Sequence, residues 1–440
     1  MKTRLINLWL NIRSSLGFIP TLMTTSSIAL AFLSIYVDQS FGTAILLGDN
    51  PFYSIGPQGA RTLLATVAGS IITVAGVAFS ITIVALTLAS SHFGPRLLKN
   101  FMRDAGNQIV LGTFIATFIY SLFVLGSIRQ DFVPQFSILL GILFTLASMG
   151  VFIYFIHHVS VSIHAENVIA GVGRDLEQSI NRLFPEKMGT NTFGQDHDFQ
   201  DNVPPTLEQE GLAIRSDRSG YLQAIDSPGI MALATKHDLL LHFTHRPGEF
   251  VVAGAMIAKA WPPARVNDTI AIQIHDAFIL GNHRTEEQDI EFAIHQLVEV
   301  ALRALSPGIN DPFTAMSCID RLGASLSLLA QRHIPSSLRY DDNHTLRVVT
   351  HPVTLEGIFD AAFNQIRQHG CSTVAIGIRL LETLGVIVAN TQNPPVLQAV
   401  RHHAKMVKEE TLKNLSETSD RKEVEDRYEI ILSHLPAHLD

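Results

Sequence analysis

Apolar residues gather in the first third of the chain into four long runs, and after residue 158 they break up into shorter alternating or helically spaced patterns. The runs cover about residues 16–37, 62–91, 108–125 and 135–156, each near or above the ~20 apolar residues that a membrane-crossing helix needs. The first run continues through Phe32, Ile35 and Tyr36 with no small-residue cleavage pattern, so it predicts a retained transmembrane helix rather than a removed leader. Residues 1–158 therefore form an α-helical membrane domain of four transmembrane helices.

The second run is unusual. It carries no formal charge over about 30 residues, which as a helix is about 45 Å long, more than a hydrocarbon core of about 30 Å requires. Down one face run Thr66, Gly69, Thr73, Gly76, Ser80, Ile83, Thr87 and Ser90, while Val67, Ile71, Ile72, Val74, Phe79, Ile81, Val84 and Leu88 lie elsewhere. Small and hydroxylated residues at such spacing let neighbouring helix backbones approach closely. The same stripe also suits the wall of a water-filled path through an oligomer, and a tight ring of such helices accommodates both readings.

Beyond the membrane part, residues 159–187 read as a juxtamembrane helix, in which the fourth span continues from His157 to about Phe184 as a polar helix bearing His157, His158, His164, Glu166, Arg174, Asp175 and Glu177. His157 and His164 lie about 10 Å apart along such a helix, too far to share one metal ion, and are expected to be interfacial or structural. Residues 188–210, rich in Gly, Asn, Asp, Gln and Pro, predict a linker. Residues 211–283 read as a small β-rich, barrel-like module, with strands expected at 221–225, 239–244, 250–257 and 269–280. Its hairpin at 246–260 resembles those of lipoyl and biotinyl carriers, but no acceptor lysine stands in the setting those carriers use.

Residues 284–440 predict a helical domain. Thr285 followed by Glu286, Glu287 and Gln288 suggests a capping box, with Ile290, Ile294, Leu297, Val298, Ala301, Leu302 and Leu305 as the apolar face. Asp311 and Pro312 suit the cap and first residue of the next helix, reaching about residue 331, and further helices are expected at 355–369, 372–389, 395–415 and 421–435. The expected fold is thus a four-helix membrane domain followed by an α+β soluble domain with a helical C-terminal part.

Charge refines the picture. The formal net charge is −8, yet the membrane part holds more basic residues than its four acids Asp38, Asp49, Asp104 and Asp131, so the soluble part is strongly acidic. Nucleic acid, which requires a basic face, is not an expected partner. Lys2, Arg4 and Arg13, with Arg96, Lys99 and Arg103 after the second run, put both termini on the cytoplasmic side of a bacterial inner membrane. Arg96, Lys99 and Arg103 share one face of an amphipathic segment, which suits an interfacial anchor to anionic headgroups or a basic ring at the mouth of a path. The two cysteines, Cys318 and Cys371, make no disulfide framework and fit a reducing compartment.

Two blocks carry a resemblance. VAGVAFSITIVALTLASSHFGPRLLKNFMRD, residues 74–104, and RTEEQDIEFAIHQLVEVALRALSPGINDPFTA, residues 284–315, resemble the bacterial predicted membrane proteins catalogued only as domain-of-unknown-function family 2254. The resemblance implies a multi-span N-terminal part, a soluble C-terminal part and a signature loop at 306–311, but no activity. In and near that loop, Asp289, Arg303, Asn310 and Asp311 form a candidate site for an ion or small ligand, although backbone geometry alone accounts for much of the motif.

These features lead to two functional expectations. One is a homo-oligomeric ion channel or passive transport protein, its path lined by Thr66, Gly69, Thr73, Gly76, Ser80 and Thr87 and regulated by the soluble domain. The other is a membrane-anchored sensor or scaffold whose soluble domain binds a ligand or protein without conduction. No P-loop, dinucleotide turn, GxSxG elbow, HExxH or paired CxxC is present, so neither an enzyme nor a cofactor is expected. The absence of charge inside the spans favours passive over ion-coupled transport.

Overall fold

The structure, a computed structural model, describes residues 17–41, 55–94, 105–184, 205–332 and 334–436. The chain divides into two compact units, Met1–Val168 and Ile169–Asp440.

Four helices long and apolar enough to cross a membrane make up the first unit: α1 (Phe18–Phe41), α2 (Pro57–Phe93), α3 (Ala105–Ser127) and α4 (Gln135–Ser162). Helix α3 is central and packs against the other three. Its Gly112 makes the approach to α1 possible, since a Cβ there would come within 2.6 Å of Met23 Sδ and 3.2 Å of the Pro20 backbone. Two buried polar contacts cross between helices: Thr117 pairs with Ser148 at 2.9 Å, and Ser27 donates to the Ala116 carbonyl at 2.6 Å.

The start of α4 is capped from a distant point in the chain. Asp38, 7% exposed, accepts from the amides of Phe136 and Ser137 at 3.0 Å and from Ser137 Oγ at 2.7 Å. Tyr120 then links Ser34 Oγ to the Ser137 carbonyl, both at 3.0 Å. Asp38 thus satisfies helix amides that have no intrahelical partner and sits where the helix dipole favours negative charge. Asp38→Ala is expected to lower the stability of this unit by about 3 kcal/mol, read from thermal melts in nanodiscs, with Asp38→Asn intermediate. Equal melts for wild type and Asp38→Ala would exclude the capping role.

The juxtamembrane segment is not a continuation of α4. The helix stops at Ser162, and a separate helix α5 (Ala165–Leu183) begins after His164, whose carbonyl accepts from Asn167 and Val168 at 3.0 and 3.2 Å. Ile169, Val172, Leu176 and Ile180 of α5 are buried. His158 stacks on Tyr154 with ring centroids 5.3 Å apart.

The second unit continues with α6 (Pro205–Glu210), a short helix in what the sequence suggests is linker, then β1 (Leu212–Arg215), β2 (Gly220–Ile225), α7 (Ser227–His237) and β3 (Leu240–Phe243). Next come β4 (Phe250–Val251), β5 (Met256–Trp261), α8 (Asp268–Asp276) and β6 (Phe278–Gly281). The remaining elements are α9 (Ile290–Ala304), α10 (Pro312–Leu329), β7 (Leu338–Tyr340), β8 (Leu346–Val349), α11 (Leu355–Gly370), α12 (Val374–Ala389), α13 (Pro394–Lys413) and α14 (Thr418–His434).

The strands form two small sheets, ordered β1-β5-β3-β8-β7 and β4-β2-β6, with β3 and β8 parallel and the other pairs antiparallel. Among the described residues neither closes into a barrel. They share a core in which Leu222, Leu241, Val251, Ile257, Ile274 and Val348 are buried. Strands β7 and β8 come from within the region read as helical, so a boundary at 283/284 is crossed by the larger sheet.

Several expected strands change form. Residues 250–257 split at Gly254, whose φ of +84° turns the chain from one sheet to the other. Residues 268–276 alternate as Ile270, Ile272, Ile274 and so look like a strand, but Asn267 caps them as helix α8 by accepting from the Ile270 amide at 2.9 Å. Ile270 and Ile274 face inward at helical spacing, while Ile272 is 59% exposed.

Candidate functional site

Along α2, Ala60, Leu64, Ala68, Ile71, Ala75 and Ala78 are buried. The expected stripe of Thr66, Gly69, Thr73, Gly76, Ser80 and Thr87 is exposed at every position. Each hydroxyl donates back to the carbonyl four residues earlier: Thr66 to Thr62 and Thr73 to Gly69 at 2.8 Å, Ser80 to Gly76 and Thr87 to Ile83 at 2.9 Å. The donors are thereby satisfied within the helix, and the oxygens keep acceptor capacity outward. A Cβ at Gly69 or Gly76 would meet nothing within 4 Å. The helix holds 37 residues, or about 55 Å, well beyond a hydrocarbon core. Arg96, Lys99 and Arg103 lie outside the described residues.

The four ligand candidates do not converge. Asp289 stands at the start of α9 and Arg303 near its end, about 21 Å away along the axis. Asp289 is 3% exposed; it caps α9 by accepting from the Phe292 amide at 3.1 Å and takes two bonds from Arg284, at 2.7 and 2.9 Å. Gly248 packs against it with φ +98°, and a Cβ there would come within 2.3 Å of the carboxyl oxygen. Arg303 reaches back to Glu299 at 3.5 Å. Asn310 takes a left-handed φ of +50° in the turn between α9 and α10, and Asp311 caps α10 through the Thr314 amide at 3.1 Å and hydroxyl at 2.6 Å. The expected capping box at Thr285 is displaced: Asp289 is the cap, and Gln288 instead pairs with both backbone groups of Ile225 at 3.0 Å.

Around Asp289 the fold builds an ion network that sequence spacing does not suggest. Arg246 meets Glu291 at 2.8 Å and Glu249 at 3.4 Å, and Arg284 lies 3.9 Å from Glu291. Arg284, Asp289 and Glu291 lie in the signature block, whereas nothing local pairs Arg246 with Glu291, 45 positions later.

Beside this network lies a cavity of about 400 Å³. It draws on α5, α7, β3, β8 and the segments flanking α9 and β7, so residues more than 150 positions apart line it, which leaves no local signature. Its apolar wall includes Ile225, Ile230, Met231, Phe243, Ile290 and Val348, and its polar lining includes Arg182, Arg246, Arg339, His245 and His351. Among the described residues, no three or more His, Cys, Asp or Glu side chains group to hold a metal ion.

Four apolar helices joined to a mixed sheet-and-helix unit define a multi-span membrane protein with a large non-membrane part. Residues 13–385 match the family model described as "Predicted membrane protein (DUF2254)", and the chain belongs to that family. It is 30% identical over 414 residues to the uncharacterized proteins Mb1321c of Mycobacterium bovis and Rv1290c of Mycobacterium tuberculosis, covering 88% of this chain and 78% of each relative. No solved structure matches it.

Proposed function

We propose that this membrane protein is a homo-oligomeric channel or passive transport protein of the bacterial inner membrane, with cytoplasmic termini and with α2 lining the path. One observation carries the reading: a stripe of glycines and back-bonded hydroxyls is exposed along an overlong apolar helix whose opposite face is buried from Ala60 to Ala78. Such a surface accepts the close approach of another helix and also presents acceptor oxygens to water or a dehydrating ion. Exposed Ile72, Phe79, Val84 and Leu88 beside the stripe offer an apolar seal.

The test is flux through liposomes holding the purified protein. Gly76→Leu and Ser80→Leu are each expected to cut flux at least tenfold. Cysteines placed at Thr73 or Ser80 are expected to react with hydrophilic thiol reagents, against a low background because Cys318 and Cys371 are buried. No flux, or flux unchanged in both leucine variants, removes the conduction reading.

A second reading, an anchored sensor without conduction, is favoured by the cavity of the second unit. In that reading the spans only hold the protein at the membrane.

A further inference from the structure

The cavity in the second unit has a charge pattern opposite to that of its surroundings. The chain as a whole is net acidic at −8, and the part beyond the spans more so, yet no Asp or Glu lines this space.

Its cations differ in how far the protein neutralises them. Arg246 is matched by Glu249 and Glu291, and Arg182 by Glu287 at 3.6 Å. Arg339 has no carboxylate partner among the described residues: its guanidinium donates to the Ser336 carbonyl, and burial holds its pKa below the ordinary arginine value. Arginine does not discharge in proteins, and this partly buried cation, with no carboxylate beside it, can take an anion from outside as its partner. His245 and His351 add polar nitrogens to the same lining.

The remaining wall is aliphatic and aromatic, so a bare inorganic anion would leave most of it uncovered. A cavity of about 400 Å³ is within the range of small-molecule sites, which are mostly apolar with a few placed polar groups.

We infer that this cavity binds a small organic anion, a phosphate or carboxylate group set on an apolar or aromatic body, with Arg339 as the principal partner of the charge and Ile230, Met231 and Phe243 covering the body. The inference does not depend on conduction through the membrane unit.

Two sources of such chemistry are separable with matched probe pairs, octyl phosphate against octanol and adenosine monophosphate against adenosine. They are titrated calorimetrically onto the full-length protein in nanodiscs, since detergent would compete for the apolar wall. In at least one pair the anion is expected to bind tenfold or more tightly than its neutral partner; the octyl pair then marks a lipid-derived ligand and the adenosine pair a nucleotide. Arg339→Gln is expected to erase that preference while keeping the neutral affinity, and Met231→Trp, which fills the space without touching a charge, to weaken both members. Variants are compared only where their melting temperatures stay near wild type; inorganic phosphate alone is expected to bind weakly. No binding by any probe, equal affinity within both pairs, or an anion preference that survives in Arg339→Gln would each overturn the assignment.

Discussion

Asp289→Ala is expected to cost the second unit about 3 kcal/mol, because it removes a helix cap and the carboxylate that takes two bonds from the partly buried Arg284 guanidinium, leaving Glu291 at 3.9 Å. Asp289 is among the most enclosed charged side chains of this unit, and both its oxygens are used by Arg284 while one also holds the Phe292 amide. Cutting that node frees Arg284, which is 21% exposed, and loosens its contact with Glu291. Asp289→Asn keeps the cap and loses the charge, so it is expected to fall between. Gly248→Ala should mimic Asp289→Ala from the other side, since a methyl at that left-handed position collides with the carboxyl group. Denaturant unfolding followed by Trp261 fluorescence measures all three. A wild-type midpoint for Asp289→Ala would show that the carboxyl group is not structural and restore it as a ligand candidate.

The second large effect is a loss of stability in mild acid, centred on His403. This side chain is 1% exposed, packed on the rings of Phe359 and Phe363. Burial, with smaller repulsion from His402 and Arg367, pulls its pKa from 6.5 down to about 4, against the opposing pull of Asp360, whose Oδ1 is 3.4 Å from Nε2. Between these values the unfolded chain holds a proton that the folded chain refuses. Stability from this group is therefore complete above pH 6.5 and declines as pH falls toward 4, by about 1.4 kcal/mol per pH unit and up to about 3 kcal/mol in all. His403→Leu keeps the packing and has nothing to titrate, so its unfolding midpoint is expected to fall less between pH 7 and pH 4.5 than that of wild type. Parallel pH profiles for the two proteins would dismiss His403 as the source.

The helical elements of both units were readable because their periodicity and caps are local. The four spans, Asp311 with Pro312, and the helices after residue 355 all declare themselves within a few residues. The residues around 270 misled because Ile270, Ile272 and Ile274 satisfy a strand's alternation; the cap at Asn267 and the burial of only two of the three decide for helix. Strand β8 was missed for a different reason. It is short, its hairpin partner β7 holds only three residues, and its parallel partner β3 lies more than 100 residues earlier, so the local pattern is too brief to declare a strand.

The candidate sites divide in the same way. Small and hydroxylated residues at steps of three and four define the stripe on α2 from the sequence, but only packing shows that the alanine side is buried and the stripe left open. Asp289, Arg303, Asn310 and Asp311 are close neighbours along the chain, and the rigid length of α9 then separates the first from the rest.

The sequence by itself determined the four spans, the uncharged α2 stripe, the acidic character of the part beyond the membrane, and the family. Hydrophobic length, helical period and charge are properties of contiguous residues. The tertiary structure decided which face of α2 is covered, that Asp38 caps a helix nearly 100 residues away, and that arginines and apolar side chains from several distant segments enclose one cavity. Each of these depends on chain folding to bring remote residues together, and no local pattern records which remote partner a residue will meet.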